Sequence, residues 1–259
     1  MLLPANTCRE KAVITPNGID IRDYFFDGGL GDGDNDSYVS VYGSAPGRGL
    51  ELLLVCWERV FHKLRAANVP QGKLRIYYGF SKSFVEHGEK TRGKEFFSRW
   101  VDFMKRRIES MAEMGVEYVG MVDHEELVKG YAASSFILYP TSYPETGCVT
   151  LMKAMASGAL PITSKFATST LPELTGQWDL GVELEGIWDD DIFGFSLVQK
   201  EEEWPTNLSK FIDAYVENIV QAYLNVESMR EKRKKMIVYA RNRFSWTNVA
   251  KLWKQEFEK

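Results

Sequence analysis

Short apolar runs alternate with longer stretches whose apolar residues recur every three or four positions, from residue 37 to about residue 163. Ser37–Tyr42 has the composition of a buried strand, and a glycine-rich turn follows it. The next apolar residues, from Leu50 to Leu64, fall on one face of a helix. The same alternation predicts further strands at 74–78, 117–119, 136–139 and 160–163, and further helices at 96–111, 125–132 and 149–156.

Strands that are separated by helices usually pair in parallel, because each crossover helix returns the chain to the same end of the sheet. The sequence therefore predicts an α/β fold with a doubly wound, Rossmann-like parallel sheet. In such sheets ligands bind beyond the carboxyl ends of the strands. Here that edge is formed by the loops at 43–49, 79–83, 120–123, 141–148 and 164–170.

Strand patterns end near residue 200, and the chain from 208 to 243 is charged and helical in composition. Ser245 is suited to cap a final helix that runs to the end of the chain. We therefore expect an α/β domain over residues 1–200. C-terminal helices over residues 201–259 should pack on it.

Charge and cysteine content narrow the classes of function. The chain has 36 acidic and 32 basic residues, a net charge of −4, so it lacks the basic surplus typical of nucleic-acid binding. Cys8, Cys56 and Cys148 have no spacing typical of a disulfide framework or a zinc site. No apolar run reaches the roughly 18 residues of a membrane span. We expect a cytoplasmic protein without a transmembrane segment, and no nucleic acid as its partner.

Two patterns suggest chemistry that their surroundings do not support. The acidic segment at 32–36 is spaced like the start of a calcium loop, but Ser37 and Gly43 stand where such a loop needs Gly and Glu. A surface turn without a metal is the favoured interpretation. Cys148 forms no recognisable nucleophile motif with any of the three histidines.

The segment Glu145-Thr146-Gly147-Cys148 leads from a predicted strand into a predicted helix. Backbone N–H groups from Thr146 to Val149 are unpaired at such a helix start and favour an anion, which a diphosphate would provide. Glu145 is placed just before them, where it can accept hydrogen bonds from a sugar on that diphosphate. The same carboxylate could instead cap the helix, and these residues alone leave both roles open.

The turn from Gly43 to Gly49 is a second candidate for phosphate binding. Its glycines permit a close approach of the backbone to a ligand, and Arg48 supplies a permanent charge with a planar fork of donors. Gly43 and Ser44 begin this turn. A glycine-rich turn with a surface arginine is also a common structural feature, so this loop by itself does not identify a site.

Five segments together resemble the nucleotide-sugar donor-binding domain of glycosyltransferase family 4, a family of retaining enzymes with the GT-B fold. They are Val13–Asp20, Ser44–Glu51, the strand and helix at 118–127, the block Glu145–Pro161 with its Ala-Met-Ala-Ser-Gly, and Phe244-Ser245-Trp246. The resemblance covers most of the chain. It implies a C-terminal GT-B domain that binds a nucleoside diphosphate sugar and takes part in sugar transfer with retention of configuration.

The resemblance also implies roles for individual residues. Glu145 becomes the catalytic carboxylate that faces the donor sugar. The base of the nucleotide would lie beside Gly120, Met121 and Val122. The residues expected around the diphosphate and sugar are Gly43, Ser44, Arg48, Thr146, Gly147, Cys148, Val149 and Lys153. Family 4 implies no metal or other cofactor, the nucleotide sugar being a substrate.

Two departures from the family pattern modify this expectation. Lys153 stands where the family has a second glutamate for the ribose hydroxyls, and an ammonium has hydrogen-bond donors only. Lys153 could instead contact phosphate or a carboxylate, or mark weaker donor binding. The segment that normally follows an acceptor-binding domain begins here at Asn17. We therefore expect transfer to need an acceptor-binding N-terminal domain or a partner chain, through which the protein could lie at a membrane.

Two alternative functions follow from the same residues. The first is a non-catalytic module that binds a nucleotide or nucleotide sugar, or that completes the active site of a partner. The second is another GT-B enzyme, such as a nucleotide-sugar epimerase. A fold does not decide between them.

Overall fold

The computed structural model describes residue 15 and residues 17–24, 38–70, 72–166, 168–186 and 192–258. The acidic segment at 32–36 and Cys8 lie outside these ranges, as do Val13 and Ile14 of the family resemblance. Cys56 and Cys148 are both buried as free thiols.

The described residues form a six-stranded sheet in which every pairing is parallel. Its strand order is β3-β2-β1-β4-β5-β6. The strands are β1 Val39–Gly43, β2 Lys73–Tyr77, β3 Val116–Gly120, β4 Phe136–Tyr139, β5 Leu160–Lys165 and β6 Val182–Glu183. The predicted doubly wound α/β fold is confirmed.

Helices cover the sheet and extend beyond it. Those between the strands are α1 Leu50–Ala66, α2 Lys82–Arg92, α3 Lys94–Ser110, α4 His124–Ala132, α5 Val149–Ser157 and α6 Leu171–Thr175. Those after the sheet are α7 Phe195–Val198, α8 Thr206–Leu224, α9 Arg230–Phe244 and α10 Trp246–Phe257. None of these helices is both long enough and apolar enough to cross a bilayer.

The C-terminal helices pack directly on the α/β layers. α8 contacts α1 and β6, and α9 contacts α5. Arg233, on α9, is fully buried. Its Nε donates a 2.8 Å hydrogen bond to the carbonyl of Gly158, which follows α5. Ser245 caps α10 as predicted, because its Oγ accepts a hydrogen bond from the backbone N–H of Asn248.

The opening and closing segments of the family resemblance lie side by side. The N–H of Ile19 donates to the carbonyl of Phe244 at 2.7 Å, and the N–H of Trp246 donates to the carbonyl of Ile19 at 3.2 Å. Gly18 lies against the indole of Trp246, where a Cβ would overlap the ring. This pairing anchors Asn17 beside the loop that precedes α5, at the carboxyl edge of the sheet.

A buried carboxylate joins three parts of the domain. Glu51, in the first turn of α1, accepts hydrogen bonds from Trp100 Nε1 at 2.7 Å and from the N–H of Gly194 at 2.9 Å. It also accepts from the N–H and the hydroxyl of Ser196, at 2.9 and 2.5 Å. Burial raises the pKa of Glu51, while these donors oppose the shift. Glu51 therefore fixes the segment around α7 against α1 and α3.

Candidate functional site

The loops after β1 and β4 meet at the point where the strand order reverses. From β1 the chain proceeds outward through β2 and β3, and from β4 it proceeds in the opposite direction. Gly49 has a φ of 92°, and a Cβ there would overlap the carbonyl oxygen of Pro140, so only glycine lets the loops touch. This crevice is where doubly wound sheets bind ligands.

Arg48 projects from the β1 loop into this crevice. Its guanidinium carbon lies 3.0 Å from the centroid of the Tyr143 ring, and its Nη1 lies 3.6 Å from Oε1 of Glu145. The Arg48 side chain is 30% exposed. Nη1 itself is buried and makes no hydrogen bond to any residue that the structure describes. The crevice therefore holds a cation with an unsatisfied donor.

Glu145 is held in place through both its side chain and its backbone. Its Oε1 accepts a 2.7 Å hydrogen bond from the phenol of Tyr139, whose pKa is raised by burial, so that the phenol keeps its proton. Its carbonyl accepts from the N–H and the hydroxyl of Thr170, at 2.8 and 2.9 Å. The carboxylate is 13% exposed and makes no cap for the helix that follows.

The helix start predicted after Glu145 is present. α5 begins at Val149, and its N-cap residue Cys148 provides no side-chain cap hydrogen bond. The first N–H groups of an α-helix have no intrahelical acceptor, so this end can bind an anion. Thr146 and Val149 are exposed there.

Cys148 is the buried member of this segment. Burial raises the pKa of its thiol to about 12, so the sulfur is protonated near neutral pH. A protonated, buried thiol is a poor nucleophile. The Cys148 side chain is buried in the core, whereas the sequence analysis placed this residue beside the diphosphate, and a contact of its backbone N–H with a diphosphate stays a prediction.

Asn17 contacts the loop that connects β4 to α5. Its Nδ2 donates a 3.1 Å hydrogen bond to the carbonyl of Gly147. A Cβ at Gly147 would lie 2.8 Å from the same nitrogen, so glycine is needed for this approach. The opening segment of the resemblance thus positions the loop that carries Glu145.

The two residues that begin the β1 loop have different surroundings. Gly43 is buried beneath Tyr131, and its carbonyl accepts a 3.2 Å hydrogen bond from the hydroxyl of Thr150. Its role in the structure is packing between β1 and α5. Ser44 lies nearer the crevice, with its Oγ 3.2 Å from the phenol oxygen of Tyr139. Ser44 therefore joins the network that holds Glu145.

Lys153 is the fifth residue of α5 and faces α4. Its Nζ is 3.2 Å from Nδ1 of His124, and Nε2 of His124 is 2.8 Å from Oδ2 of Asp23. An ammonium is only a donor, so Nδ1 accepts and the Nε2 proton points to Asp23. Burial lowers the pKa of Lys153, and Asp23 opposes that shift.

The predicted base region lies at the start of α4, where β3 ends. Gly120 is buried with a φ of 79°, Val122 is half-buried and Met121 is 63% exposed. Asp123 caps α4 by accepting a 2.8 Å hydrogen bond from the N–H of Glu126. Because α4 packs on α5, this loop and Lys153 lie at the same corner of the sheet edge.

Comparisons with solved structures identify the fold. Over 98% of its length the chain matches sucrose-phosphate synthase from Thermosynechococcus elongatus, with a TM-score of 0.57, 18% identity and 55% of that protein covered. HepE from Anabaena in complex with UDP matches over 95%, with a TM-score of 0.60, 14% identity and 57% covered. The sheet and its flanking helices thus have the fold found in part of each of these two proteins.

A third solved structure shows the same likeness in fold. The UDP-forming α,α-trehalose-phosphate synthase from Burkholderia xenovorans matches over 95% of the chain, with a TM-score of 0.59, 10% identity and 52% covered. The chain thus spans little more than half the length of these three proteins. No protein-family model matches the chain, and no curated protein matches it in sequence.

The structure brings the predicted residues into two neighbouring groups. Ser44, Arg48, Glu145 and the residues from Thr146 to Val149 meet at the crevice, while Lys153 lies with the 120–122 loop beside α4. The described residues contain no group of three side chains suited to hold a metal ion. Contact of any of these residues with a ligand stays a prediction.

The side chains that hold these two groups in place were not predicted from the sequence. They are Asn17, Asp23, His124, Tyr139, Tyr143 and Thr170. The two tyrosines fit an ordinary strand and an ordinary loop, and Asp23 and His124 are 101 residues apart. Only Asn17 carried a signal, because it belongs to the opening segment of the resemblance.

Proposed function

We propose that the chain binds a nucleoside diphosphate sugar across the carboxyl edge of its sheet, with the diphosphate between Arg48 and the start of α5. Glu145 faces the sugar, and the base lies beside residues 120–122. The observation that carries this proposal is Arg48, whose buried Nη1 lacks a hydrogen-bond acceptor among the described residues and lies 3.6 Å from Glu145. A buried donor without an acceptor costs about 1–3 kcal/mol, and a phosphate oxygen that pairs with the guanidinium removes that cost.

The activity proposed for this site is retaining glycosyl transfer. The likeness to HepE, which was solved with UDP-glucose, and to two sugar-phosphate synthases supports a nucleotide sugar as the donor. Arg48 and the α5 amides stabilise the charge that develops on the departing diphosphate. Since the chain spans little more than half of these proteins, transfer is proposed to need an acceptor-binding domain or a partner chain. The anomeric configuration of a product, measured by NMR, tests retention.

A matched pair of ligands tests the role of Glu145. For Glu145→Ala we expect a loss of about tenfold or more in affinity for the nucleotide sugar, because one charged hydrogen bond contributes about 1.5–3 kcal/mol. Affinity for the nucleoside diphosphate alone should be retained or improved, since Arg48 loses its anionic neighbour. Isothermal calorimetry with UDP and UDP-glucose measures the two affinities. The same comparison is made for GDP and ADP, each with its sugar conjugate.

The control for this variant is Glu183→Ala, an exposed carboxylate on β6. It should change neither affinity. Equal loss of affinity for the diphosphate and the nucleotide sugar in Glu145→Ala would contradict a contact between Glu145 and the sugar. The same titrations repeated with EDTA should give unchanged affinities, because the proposed site contains no metal.

A second candidate function is a non-catalytic module that binds the nucleotide and completes a partner's site. Lys153 favours it, because its ammonium contacts His124 and cannot accept hydrogen bonds from ribose hydroxyls. A module of this kind binds the nucleoside diphosphate but turns over no nucleotide sugar in the presence of its partner domain. A radiolabelled-sugar transfer and hydrolysis assay distinguishes the two functions.

Substitution of Lys153 tests its relation to the ligand. Lys153 stands where the family has a glutamate that accepts hydrogen bonds from the ribose hydroxyls. If the ribose lies at this position, Lys153→Glu should raise the affinity for UDP about tenfold through new hydrogen bonds to ribose. Lys153→Met, which removes the charge without adding an acceptor, should produce no such gain. Loss of affinity in both variants would show instead that the ammonium contacts a phosphate.

A further inference from the structure

Two exposed tyrosines lie near the carboxyl ends of β2 and β3. Tyr78 directly follows β2 and is 43% exposed, and Tyr118 belongs to β3 and is 49% exposed. The other tyrosines at the ends of the central strands are buried, since Tyr42, Tyr77 and Tyr139 are at most 5% exposed. Tyr78 and Tyr118, which we call the tyrosine pair, therefore present aromatic surface that the fold does not cover.

Two glycines determine where the Tyr118 ring lies. A Cβ at Gly79 would overlap the phenol oxygen of Tyr118, so the phenol lies directly over the loop that follows β2. A Cβ at Gly120 would lie 3.6 Å from Cε1 of the same ring. The φ angles of Gly79 and Gly120 are 148° and 79°, which favour glycine. The Tyr118 ring therefore lies along the ends of β2 and β3, on backbone that leaves room for it.

Tyr78 has a strained backbone. Its φ is 77°, and among the described residues Asn68 is the other non-glycine residue with a positive φ. Asparagine adopts this conformation readily, whereas a bulky residue does so at a cost. The Tyr78 N–H donates a 2.8 Å hydrogen bond to the carbonyl of Gly120, which holds it beside the 120–122 loop. Strain of this kind is concentrated at ligand sites.

The tyrosine pair is at a suitable distance from Arg48. Neighbouring strands are about 4.8 Å apart, so the end of β3 lies about 10 Å from the end of β1, which leads to Arg48. Met121, the residue after β3, continues the exposed apolar surface. A nucleotide with its diphosphate at Arg48 and its base beside residues 120–122 therefore brings the base to the tyrosine pair.

We infer that the base of the nucleotide stacks on the Tyr118 ring and that Tyr78 borders it. This inference rests on the proposed donor site, which supplies the nucleotide. Every base has a π face, so stacking on an aromatic side chain contributes affinity for all bases and does not select among them. The tyrosine pair therefore increases the affinity for the nucleoside part of the donor, while Arg48 binds its diphosphate.

Calorimetry with UDP, ADP, GDP and inorganic pyrophosphate tests this inference. Tyr118→Thr removes the ring but keeps a residue suited to a strand. It should weaken binding of every nucleotide that the wild-type chain binds about fivefold or more, the size expected for one lost stacking contact. The affinity for pyrophosphate should stay unchanged. Tyr118→Phe keeps the ring and should retain the wild-type affinities.

Two further variants complete the set. Tyr78→Asn removes the second ring with a residue that accepts the positive φ, and should also weaken nucleotide binding without affecting pyrophosphate. The matched control is Trp253→Ala, which removes an aromatic side chain that is 45% exposed on α10. It should change neither affinity.

NMR spectra of the bound nucleotide give a readout that a purely structural role of Tyr118 would not alter. The ring current of Tyr118 should shift the base protons upfield, and this shift should disappear in Tyr118→Thr but persist in Tyr118→Phe.

Three outcomes would overturn the inference. They are pyrophosphate binding as tight as nucleotide binding in the wild-type chain, unchanged nucleotide affinity in Tyr118→Thr, and an equal loss of affinity for pyrophosphate and nucleotide in that variant. Failure of the donor proposal gives a different result, because the wild-type chain then binds neither nucleotide nor pyrophosphate.

Discussion

Replacement of Arg48 by leucine should weaken the binding of a nucleoside diphosphate about 10- to 100-fold, because a charge-assisted pair with phosphate contributes about 1.5–3 kcal/mol. Among the described residues the guanidinium is held by the Tyr143 ring and by a 3.6 Å ion pair with Glu145, so the fold should survive its removal. Arg48→Lys retains the charge but loses the planar fork, and should recover part of the affinity. Calorimetric titration with UDP, GDP and ADP measures the change.

The control for Arg48 is Arg106→Leu. Arg106 lies on α3, is exposed, and within the described part of the chain donates a hydrogen bond to the carbonyl of Asp102 in its own helix. Its replacement lowers the net positive charge by the same amount but leaves the crevice intact. Equal affinities in Arg48→Leu and Arg106→Leu would show that the diphosphate does not lie at the β1 loop.

Replacement of Glu51 by alanine should cost about 3–5 kcal/mol of the free energy of unfolding, because it removes a buried charged group from its hydrogen-bond partners. Four donors lose their acceptor together: the Trp100 indole, two backbone N–H groups, and the Ser196 hydroxyl. Urea unfolding followed by circular dichroism measures the loss.

Glu58→Ala provides the matched comparison on the same helix. Glu58 pairs with Arg107 at 2.7 Å, but both side chains are partly exposed, so its loss should cost no more than about 1 kcal/mol. A loss in Glu51→Ala no larger than that in Glu58→Ala would contradict the role given to the buried carboxylate. Glu51 ends the segment Ser44–Glu51 of the family resemblance, and in the structure its carboxylate is buried and bonds to Trp100, Gly194 and Ser196.

The sheet and most of its helices could be predicted from local patterns. α1, α4 and α5 have apolar stripes with clear ends, and their predicted limits differ from the observed ones by only one or two residues. The charged region from 208 to 243 is helical as predicted, but a short break around residues 225–229 divides it into α8 and α9. Asn225 ends α8, and Glu227 begins the one-turn helix that follows.

Two elements had too weak a signal to be predicted. α2 contains only Phe84 and Val85 as large apolar residues and has Gly88 near its centre, which disfavours a helix in isolation. Packing on Phe97 explains that glycine, and such packing is not visible in local sequence. β6 pairs through two residues only, Val182 and Glu183.

The residues of the candidate site also divide into those that local sequence predicts and those that depend on tertiary contacts. Arg48 and Glu145 could be chosen from their loops and from the family resemblance, because glycines and a helix start lie beside them in sequence. The buried phenol of Tyr139 and the His124 partner of Lys153 depend on tertiary contacts across 6 and 29 residues.

The most direct test of the proposed function is calorimetric titration of the wild-type chain with UDP, GDP and ADP and with a sugar conjugate of each. We expect saturable one-to-one binding of the nucleotides of at least one base. Arg48→Leu should weaken this binding, and Glu145→Ala should lower the affinity only for the sugar conjugate. Absence of heat with all of these nucleotides, confirmed by a second method such as ligand-observed NMR, would contradict a donor site at this edge of the sheet.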